Sequence, residues 1–323
     1  MKLQSALKQY LTLKKSLGFR FHTEGQILGA FGRAMGKVSL GRIKPAAVRA
    51  FLDGQGRVTR NWSRKWEALR GFYRFALNRG LVTRVPLPTR PPKVDLVFTP
   101  HIYTQQELER LLQAVTPEVT AGLSPQTVRT LLLLLYGAGL RISEALKLES
   151  ADVDLQAAIL CVRQSKFFKT RLVPIGPKLT QVLENYSRQR PVCRGHCYFF
   201  CADKGTPVSR STIERVFGKL RLAADVKRND GGRLQPRLHD LRHTAAVHRL
   251  VAWYRQGVDV QFLLVQLSAY LGHVDIAATQ QYLTLTPDLR QQASTRFARY
   301  ALGGAHEIRN WPGLGFVASW WSM

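Results

Sequence analysis

Apolar side chains recur at helical spacing through the first part of the chain, which predicts a bundle of helices. The pattern predicts a first helix from Leu3 to Leu17 that Gly18 ends, a second from Glu24 to Met35, a third that starts at Pro45, and a fourth from Asn61 to Asn78. Proline is favoured in the first turn of a helix and glycine just after its last turn. Residues 1–82 are therefore expected to form one helical domain.

The fourth predicted helix combines an aromatic side with a basic side. Trp62, Trp66 and Phe72 recur on one side, and a buried core stripe is the simplest interpretation of them. The basic residues around this stripe are Arg60, Arg64, Lys65, Arg70, Arg74 and Arg79. The basic side is either a solvated face or a surface that contacts phosphates, and the charge of the whole chain favours phosphates.

Residues 83–100 contain Pro86, Pro88, Pro91 and Pro92 and show no sustained periodicity. Such a composition favours an extended, fairly stiff connector. We expect a domain boundary there, with a simple surface loop as the alternative.

The pattern after residue 100 mixes helices with a few strands. Thr104 and Glu107 have the spacing of a capping box before a helix through Val115. Further helices are predicted at Gln126–Tyr136, Ile142–Leu148, Leu179–Arg188, Arg210–Ala224 and in two segments after Arg242, and strands in AAILCVRQS, in TRLVPI and at Cys197–Cys201. The first two strands form a hairpin with Lys166 in its connection. The expected fold is mainly α with a small antiparallel sheet, an α+β fold.

Cys193, Cys197 and Cys201 lie close together in the sequence with His196 among them, so a zinc site has to be considered. In a strand, however, Cys197 and Cys201 would lie about 13 Å apart on one face, which one metal ion cannot bridge. We therefore expect reduced cysteines in a strand.

The chain has 323 residues, of which 48 are Lys or Arg and 21 are Asp or Glu, for a net charge of +27. This excess indicates a polyanionic partner, and its spread along the chain favours nucleic acid over a membrane surface. No secretory signal opens the sequence, and the longest apolar run, Leu131–Leu140, is too short to cross a bilayer. We expect no membrane partner and a cytoplasmic, nucleoid-associated location.

The segment from Arg237 to Leu283 carries residues that suit phosphodiester chemistry. His239 and Arg242 are three residues apart, so they share one face of a helix. His273 follows a helix-ending glycine, and Tyr282 lies in a short helix that Asp275 can cap. An HxxR pair or a lone tyrosine has little meaning alone, but Arg141 and Lys166 upstream complete a set.

Cleavage of DNA requires neutralised phosphate oxygens, a nucleophile and a proton for the leaving oxygen. Arg141 and Arg242 can fork onto phosphate oxygens, and Tyr282 can attack phosphorus. The acidic residues form no cluster that suggests Mg²⁺, and no GxxxxGK[ST] loop suggests ATP. We therefore predict neither metal nor cofactor.

The set resembles the catalytic residues of the tyrosine recombinase (phage integrase) family, in the order of that family. The set is Arg141, Glu144, Lys166, His239, Arg242, His273 and Tyr282. The local sequence around these residues also resembles that of the family, in the segments GAGLRISEAL, SKFFKTRLVPI, HDLRH, YLGH and TQQY. The likeness is greatest to the Xer-like, transposon-associated integrase and transposase branch.

The resemblance implies a SAM-like helical core-binding domain that clamps DNA, over residues 1–82, and a DNA breaking-rejoining catalytic domain, over residues 101–300. It also implies a homo- or hetero-oligomer on double-stranded DNA, such as a tetramer, and a 3′-phosphotyrosyl intermediate on Tyr282. Lys166 would protonate the leaving 5′ oxygen, and His239 would act as a general base or acid. His273 would bond a phosphate oxygen, and Glu144 would orient Arg141 or His239.

The expected activity is site-specific recombination for the integration or transposition of a mobile element. Two alternatives are DNA relaxation of the type IB topoisomerase kind and a DNA-binding regulator without catalysis. The tryptophan-rich tail, residues 301–323, is either a loosely ordered end or a segment that docks on a neighbouring subunit.

Overall fold

The computed structural model describes residues 1–19, 21–55, 58–92, 99–120, 122–163, 170–190, 195, 197–229, 234–273, 275–284, 291 and 294. The chain divides into two compact units, Met1–Phe98 and Thr99–Met323, which we call the N-terminal unit and the C-terminal unit. The expected fold class is confirmed, because the described residues are mainly helical with one small antiparallel sheet.

The N-terminal unit is a helical bundle, as its periodicity predicts. Its helices are α1 (Leu3–Ser16), α2 (His22–Met35), α3 (Pro45–Asp53) and α4 (Arg60–Asn78), with a 3₁₀ turn at Leu40–Arg42. Pro45 occupies the first turn of α3, and the Thr59 side chain caps α4 by accepting a hydrogen bond from the Asn61 amide. Local signals therefore set the predicted helix starts to within two residues.

Helix α4 is the centre of this bundle, because its aromatic side faces the other helices. Trp62, Trp66, Phe72 and Tyr73 are buried in one apolar cluster with residues of α1, α2 and α3. The indole of Trp66 donates a hydrogen bond to the carbonyl of Pro88 at 3.0 Å. The first part of the proline-rich segment therefore packs on the bundle.

The C-terminal unit has nine α-helices among its described residues. They are α5 (Gln105–Gln113), α6 (Pro117–Thr120), α7 (Pro125–Gly137), α8 (Ile142–Ala145), α9 (Pro177–Gln189), α10 (Arg210–Ala223), α11 (Asp240–Arg255), α12 (Val260–Leu271) and α13 (Ala277–Gln280). 3₁₀ turns lie at Ser150–Asp152 and Gln281–Thr284. The predicted capping box is present, since Thr104 and Glu107 exchange hydrogen bonds at the start of α5.

The sheet has three antiparallel strands in the order β1 (Val153–Asp154), β2 (Ile159–Val162) and β3 (Arg171–Pro174). Strands β2 and β3 form the predicted hairpin, with Val162 opposite Arg171 at the end nearest the connection. The two-residue strand β1 was not predicted, because it is too short to show an alternating pattern. Lys166 and the rest of the hairpin connection, residues 164–169, lie outside the described residues.

The predicted strand at Cys197–Cys201 is wrong. Tyr198 and Cys201 form only isolated bridges, to Glu149 and Pro207. Cys201 is disulfide-bonded, so the expectation of a reduced cysteine is also wrong at this position. Apolar and β-prone residues such as Phe199 and Phe200 are buried here in the core, and their burial explains the pattern without a ladder.

Two apolar clusters of the C-terminal unit place the segments that carry the predicted chemistry. The larger cluster packs α7, the sheet, α9 and α10 together. The smaller one packs α11 against α12 and includes Tyr282, which follows α13 directly. Among the described residues, none of the helices has the length and apolar composition needed to cross a bilayer.

Candidate active site

The start of α11 is fixed by a buried carboxylate. Asp240 accepts hydrogen bonds from the backbone amide of Arg237 at 2.9 Å and from its guanidinium at 2.8 Å. This turn makes His239 the residue just before the helix and puts Arg242 in its first turn. The predicted HxxR pair therefore lies at the beginning of a helix, as the sequence analysis expects.

Arg242 is held in the core by backbone carbonyls. Its side chain donates to the carbonyls of Gly139 and Leu271, both at 2.6 Å, and is only 3% exposed. Burial and the nearby charge of Arg141 lower the pKa of Arg242 to about 10, so it stays charged at neutral pH. A guanidinium has five N–H donors, and two carbonyl bonds leave others for a phosphate.

The guanidinium of Arg141 lies near that of Arg242. It follows a glycine turn in which Gly139 has a φ of +59°, and a Cβ there would lie 2.9 Å from the side chain of Leu271. The guanidinium of Arg141 donates to the carbonyl of Gly272 at 2.9 Å, just after Arg242 reaches Leu271. Both predicted phosphate-binding arginines therefore meet at the end of α12.

Glu144 joins the arginines together. Its carboxylate accepts hydrogen bonds from Arg141 at 2.7 Å and from Arg171 at 2.9 and 3.2 Å, and it lies 4.0 Å from Arg242. Burial opposes ionisation of Glu144, but the hydrogen bonds and charges of Arg171 and Arg141 outweigh it and lower its pKa to about 2. The carboxylate is thus a permanent countercharge within a group of arginines.

Arg171 is a member of this group that the sequence analysis missed. It lies on β3 and also donates to the carbonyl of Tyr270 at 3.0 Å. Its basic side chain in TRLVPI was interpreted only as part of a strand. Its contacts are with Glu144, 27 positions before it, and with Tyr270, 99 positions after it, so no local pattern could reveal its role.

Tyr282 places its hydroxyl among these groups. The side chain is buried, and its hydroxyl lies 3.1 Å from Nδ1 of His243, with the charge of Arg242 nearby. Burial raises the pKa of Tyr282, while the charges of Arg242 and Arg141 act to lower it. Ile276 is the residue just before α13, and Asp275, one residue earlier, accepts a hydrogen bond from the Ala277 amide at 3.0 Å.

Three histidines surround the tyrosine. The rings of His273 and His243 lie 6.0 and 5.5 Å from the Tyr282 ring, and the His239 ring contacts His243 edge-on at 5.1 Å. Nδ1 of His273 is paired with the Thr279 hydroxyl at 2.6 Å. Burial first, and nearby positive charge second, lower the pKa of His239 to about 4 and that of His273 to about 3.

His243 is the second residue that the sequence analysis missed. It comes four residues after His239, so a signal was available: both imidazoles share one face of α11. The structure brings together Arg141, Glu144, His239, Arg242, His273 and Tyr282, which are six of the seven predicted site residues. Lys166, the seventh, lies outside the described residues.

The predicted DNA-binding residues lie on α4, in the N-terminal unit. Arg60, Arg64, Arg70 and Arg74 are exposed, and Arg70 stacks on Trp66 at 5.2 Å. Lys65 departs from this set, because its ammonium donates to the carbonyl of Phe51 at 2.7 Å and lies over the Phe51 ring. At 100° per residue, Lys65 points away from the face that the exposed arginines share.

Metal ligands are not grouped in the part of the chain that the structure describes. No three His, Cys, Asp or Glu side chains lie close enough there to hold an ion. The charges that face Tyr282 are those of arginines, which can act on a phosphate directly.

Comparison with known proteins identifies the class of protein that has this fold and this cluster of arginines, histidines and a tyrosine. Residues 102–288 match the model of the phage integrase family. A putative integrase/recombinase, y4rB of Sinorhizobium fredii, is 32% identical over 92% of this chain and 97% of its own length. The tyrosine recombinase XerC of Pediococcus pentosaceus is 26% identical over 92% of this chain and 98% of its own length.

A solved structure has the same fold. The Tn1549 transposon integrase in complex with transposon right end DNA superposes with a TM-score of 0.68 at 16% identity, over 92% of this chain and all of that one. The chain belongs to the phage integrase family and is an enzyme of the tyrosine recombinase type.

Proposed function

We propose that the protein is a site-specific DNA recombinase that uses Tyr282 to cut and rejoin DNA. The observation that carries this proposal is the position of the Tyr282 hydroxyl, which lies 3.1 Å from Nδ1 of His243 and near the charges of Arg242 and Arg141. Arg141 and Arg242 would hold the non-bridging oxygens of one phosphodiester and stabilise the charge of its transition state. The tyrosine of the same chain then lies within reach of that phosphate.

The reaction is a transesterification that conserves bond energy. The Tyr282 oxygen bonds to phosphorus, the bond to the 5′ oxygen breaks, and a 3′-phosphotyrosyl ester remains. A free 5′ hydroxyl from a second DNA end attacks that ester and restores the phosphodiester. Lys166 is proposed to give the 5′ oxygen its proton in the first step, His239 to serve as a general base or acid, and His273 to donate a hydrogen bond to the phosphate.

The exposed arginines of α4 are proposed to contact DNA outside the site. Arg60, Arg64, Arg70 and Arg74 lie on one exposed face of a strongly basic chain, and arginine is well suited to phosphate. Lys65 is left out of this proposal because it contacts Phe51 instead. Residues 1–82 would act as the core-binding clamp, residues 83–100 as a linker and residues 101–300 as the catalytic domain, and residues 301–323 would form a segment that reaches a neighbouring subunit.

The substrate is proposed to be double-stranded DNA at the ends of a mobile element, bound by several copies of the chain or with related recombinases. The similarity to a putative integrase/recombinase and to a tyrosine recombinase supports this role. An enzyme with such a substrate would be found with the nucleoid in the cytoplasm.

The test is covalent capture on a nicked DNA substrate that lets the product strand diffuse away. Wild-type protein should form a protein–DNA adduct that survives denaturation, and Tyr282→Phe should bind the same DNA without forming it. Tyr270→Phe is a matched control, because it removes another hydroxyl from the same unit, one that donates to the Pro174 carbonyl at 3.2 Å. An adduct with Tyr282→Phe, or none with wild-type protein on any substrate, would contradict the proposal.

A further inference from the structure

The hydroxyl of Tyr282 is paired with an imidazole that has no assigned part in the reaction. Nδ1 of His243 lies 3.1 Å from the hydroxyl oxygen, and the two rings meet at 63° with centroids 5.5 Å apart. His243 belongs to α11, next to Arg242, so the helix that places the arginine also places this imidazole. A neutral tyrosine attacks phosphorus poorly unless its proton is removed.

We infer that His243 is the proton acceptor for Tyr282 in DNA cleavage. The inference rests on the proposed function of Tyr282. As the phenolic oxygen bonds to phosphorus, its O–H bond breaks and the proton passes to Nδ1 of His243, which requires the tautomer with hydrogen on Nε2. The P–O5′ bond breaks at the other end, and a separate acid protonates that oxygen. In rejoining, His243 returns its proton to the departing tyrosine oxygen.

The other groups around Tyr282 are less suited to this step. Nδ1 of His273 is already paired with Thr279 at 2.6 Å, and its ring is farther from the tyrosine ring. His239 approaches His243 through a ring edge at 5.1 Å. Arg242 lies near the hydroxyl but cannot accept a proton, because a guanidinium is always charged in proteins. Among the described residues, the imidazole placed on the hydroxyl is that of His243.

The charges around His243 determine when it can accept a proton. The groups that face it are His239, Arg242, Arg237 and Asp240 from α11 and the turn before it, and His273 and Tyr282 from the segment after α12. Burial first, then His239, Arg242 and Arg237, lower its pKa to about 4, while Asp240 acts to raise it.

His243 is therefore neutral at pH 7 and has a free lone pair. A bound phosphate adds negative charge beside Arg242. This raises the affinity of His243 for a proton at the stage when the tyrosine must lose one.

Helix α11 carries a second histidine–tyrosine pair that serves as a matched control. Nδ1 of His248 lies 2.9 Å from the hydroxyl of Tyr136 on α7, and burial lowers the pKa of His248 as well. The two pairs share a helix, an imidazole nitrogen, a phenol and partial burial. They differ in their surroundings, because the arginines and Glu144 lie around Tyr282.

The experiment measures single-turnover formation of the covalent adduct by full-length wild type, His243→Ala, His243→Asn and His248→Asn. Asparagine keeps a polar atom near the place of Nδ1 but accepts no proton at neutral pH. Both His243 variants should react about 10²–10⁴-fold more slowly while binding DNA normally. His248→Asn should react within about threefold of wild type, as expected for a residue outside the chemistry.

Three further measurements separate proton transfer from positioning. Added imidazole should partly restore His243→Ala, and the rate of this variant should rise with pH as hydroxide replaces the lost acceptor. A substrate with sulfur at the bridging 5′ position leaves without a proton, so it should rescue Lys166→Ala but not His243→Ala. The thermal unfolding of each His243 variant, compared with that of His248→Asn, shows whether a slower reaction results from unfolding. If His243→Ala is unfolded, the rate of His243→Asn is used for the test.

Two results would overturn the inference. Wild-type rates for His243→Asn would show that the hydrogen bond positions Tyr282 without taking its proton. Rescue of His243→Ala by the sulfur substrate would show that His243 protonates the leaving 5′ oxygen instead. Adduct formation by wild-type protein in the same assay confirms the role of Tyr282 separately, so failure of this inference and failure of the proposed function are distinguishable.

Discussion

The N-terminal and C-terminal units each carry a group of arginines, and the structure surrounds the two groups differently. On α4, Arg60, Arg64 and Arg74 are exposed to solvent. In the C-terminal unit, Arg242 is buried and the side chain of Arg171 is only 12% exposed, and backbone carbonyls and Glu144 bind them. The first arrangement leaves long side chains free to follow a DNA backbone, whereas the second fixes the guanidinium groups before a phosphate arrives.

This difference has an energetic consequence. An exposed arginine gains little from a neighbouring carboxylate and is screened by salt. A buried arginine without a countercharge is strongly destabilising, so the C-terminal unit depends on Glu144 for stability as well as for geometry.

The largest effect is expected for Glu144→Gln, which keeps the shape and removes the charge. It leaves Arg141, Arg171 and Arg242 without their common carboxylate, and breaking such a buried pair costs about 3–5 kcal/mol. Urea unfolding of the C-terminal unit should show this loss.

Glu214→Gln is the matched control for Glu144→Gln. Glu214 pairs with Arg210 at 2.8 Å, close to the 2.9 Å of Glu144 and Arg171, but its side chain is 46% exposed against 6%. It should lose at most about 0.5 kcal/mol. Equal losses in the free energy of unfolding for the two variants would show that burial does not determine how much these ion pairs contribute to stability.

Arg242→Lys is expected to impair the chemistry while sparing DNA binding. A lysine ammonium keeps the positive charge but cannot fork onto two carbonyls and a phosphate oxygen, so the position of the charge and its hydrogen bonds change. We expect a loss of about 10²–10³-fold in single-turnover cleavage. The salt dependence of DNA affinity should stay as in wild type, and a flattened dependence would mean that Arg242 contributes to affinity as the surface arginines do.

Features that depend on interactions between residues close in the sequence could be predicted, whereas features that depend on distant contacts could not. Pro45 and the Thr104–Glu107 capping box act within one helical turn, and both helix starts were predicted from them. Arg171 and the buried Cys197–Cys201 segment are decided by distant contacts, so the first was missed and the second was wrongly predicted as a strand.

The site residues were predictable for a different reason. Arg141, Arg242 and Tyr282 were predicted because their residue types and their order resemble the catalytic set of the phage integrase family. The pairing of His243 with Tyr282 was not predictable, because it depends on how the turn after α12 folds back onto α11.

Stability at mildly acidic pH should also separate the two units. The pKa values of His239, His243 and His273 are lowered to about 4, 4 and 3, below the ordinary value of 6.5. The unfolded chain therefore binds more protons below pH 6.5, and stability of the C-terminal unit should fall steadily from there to about pH 4. Glu144 adds its own loss only below its unfolded value of about 4.3, towards pH 2.

Hydrogen exchange as a function of pH can follow the two units separately. Amides of α11 should lose protection between pH 6.5 and 4, and amides of α4 should change much less. Replacing His239 and His273 with glutamine should make the response of α11 shallower. An unchanged response would mean that other groups set the acid stability of this unit.

Neutralising the exposed arginines of α4 should change affinity and leave the chemistry intact. Each phosphate contact contributes roughly one unit to the slope of log K against log salt, so Arg64→Ala, Arg70→Ala and Arg74→Ala together should flatten it by up to about three units. Cleavage by the bound enzyme should be near wild type. An unchanged slope would show that this face does not contact DNA.

The smallest and sharpest test compares two neighbours on α4. Arg64 is exposed, whereas the ammonium of Lys65 donates to the Phe51 carbonyl at 2.7 Å and lies 4.8 Å from the centre of the Phe51 ring. Arg64→Ala should therefore flatten the salt slope by about one unit and change stability by less than about 0.5 kcal/mol. Lys65→Met should do the reverse, with an unchanged slope and a loss of about 1–2 kcal/mol, because a charge-assisted hydrogen bond and a cation–π contact that join α4 to α3 are both removed. If Lys65→Met changes the salt slope as much as Arg64→Ala does, Lys65 contacts DNA. The distinction between the exposed arginines of this helix and a lysine paired with Phe51 would then be wrong.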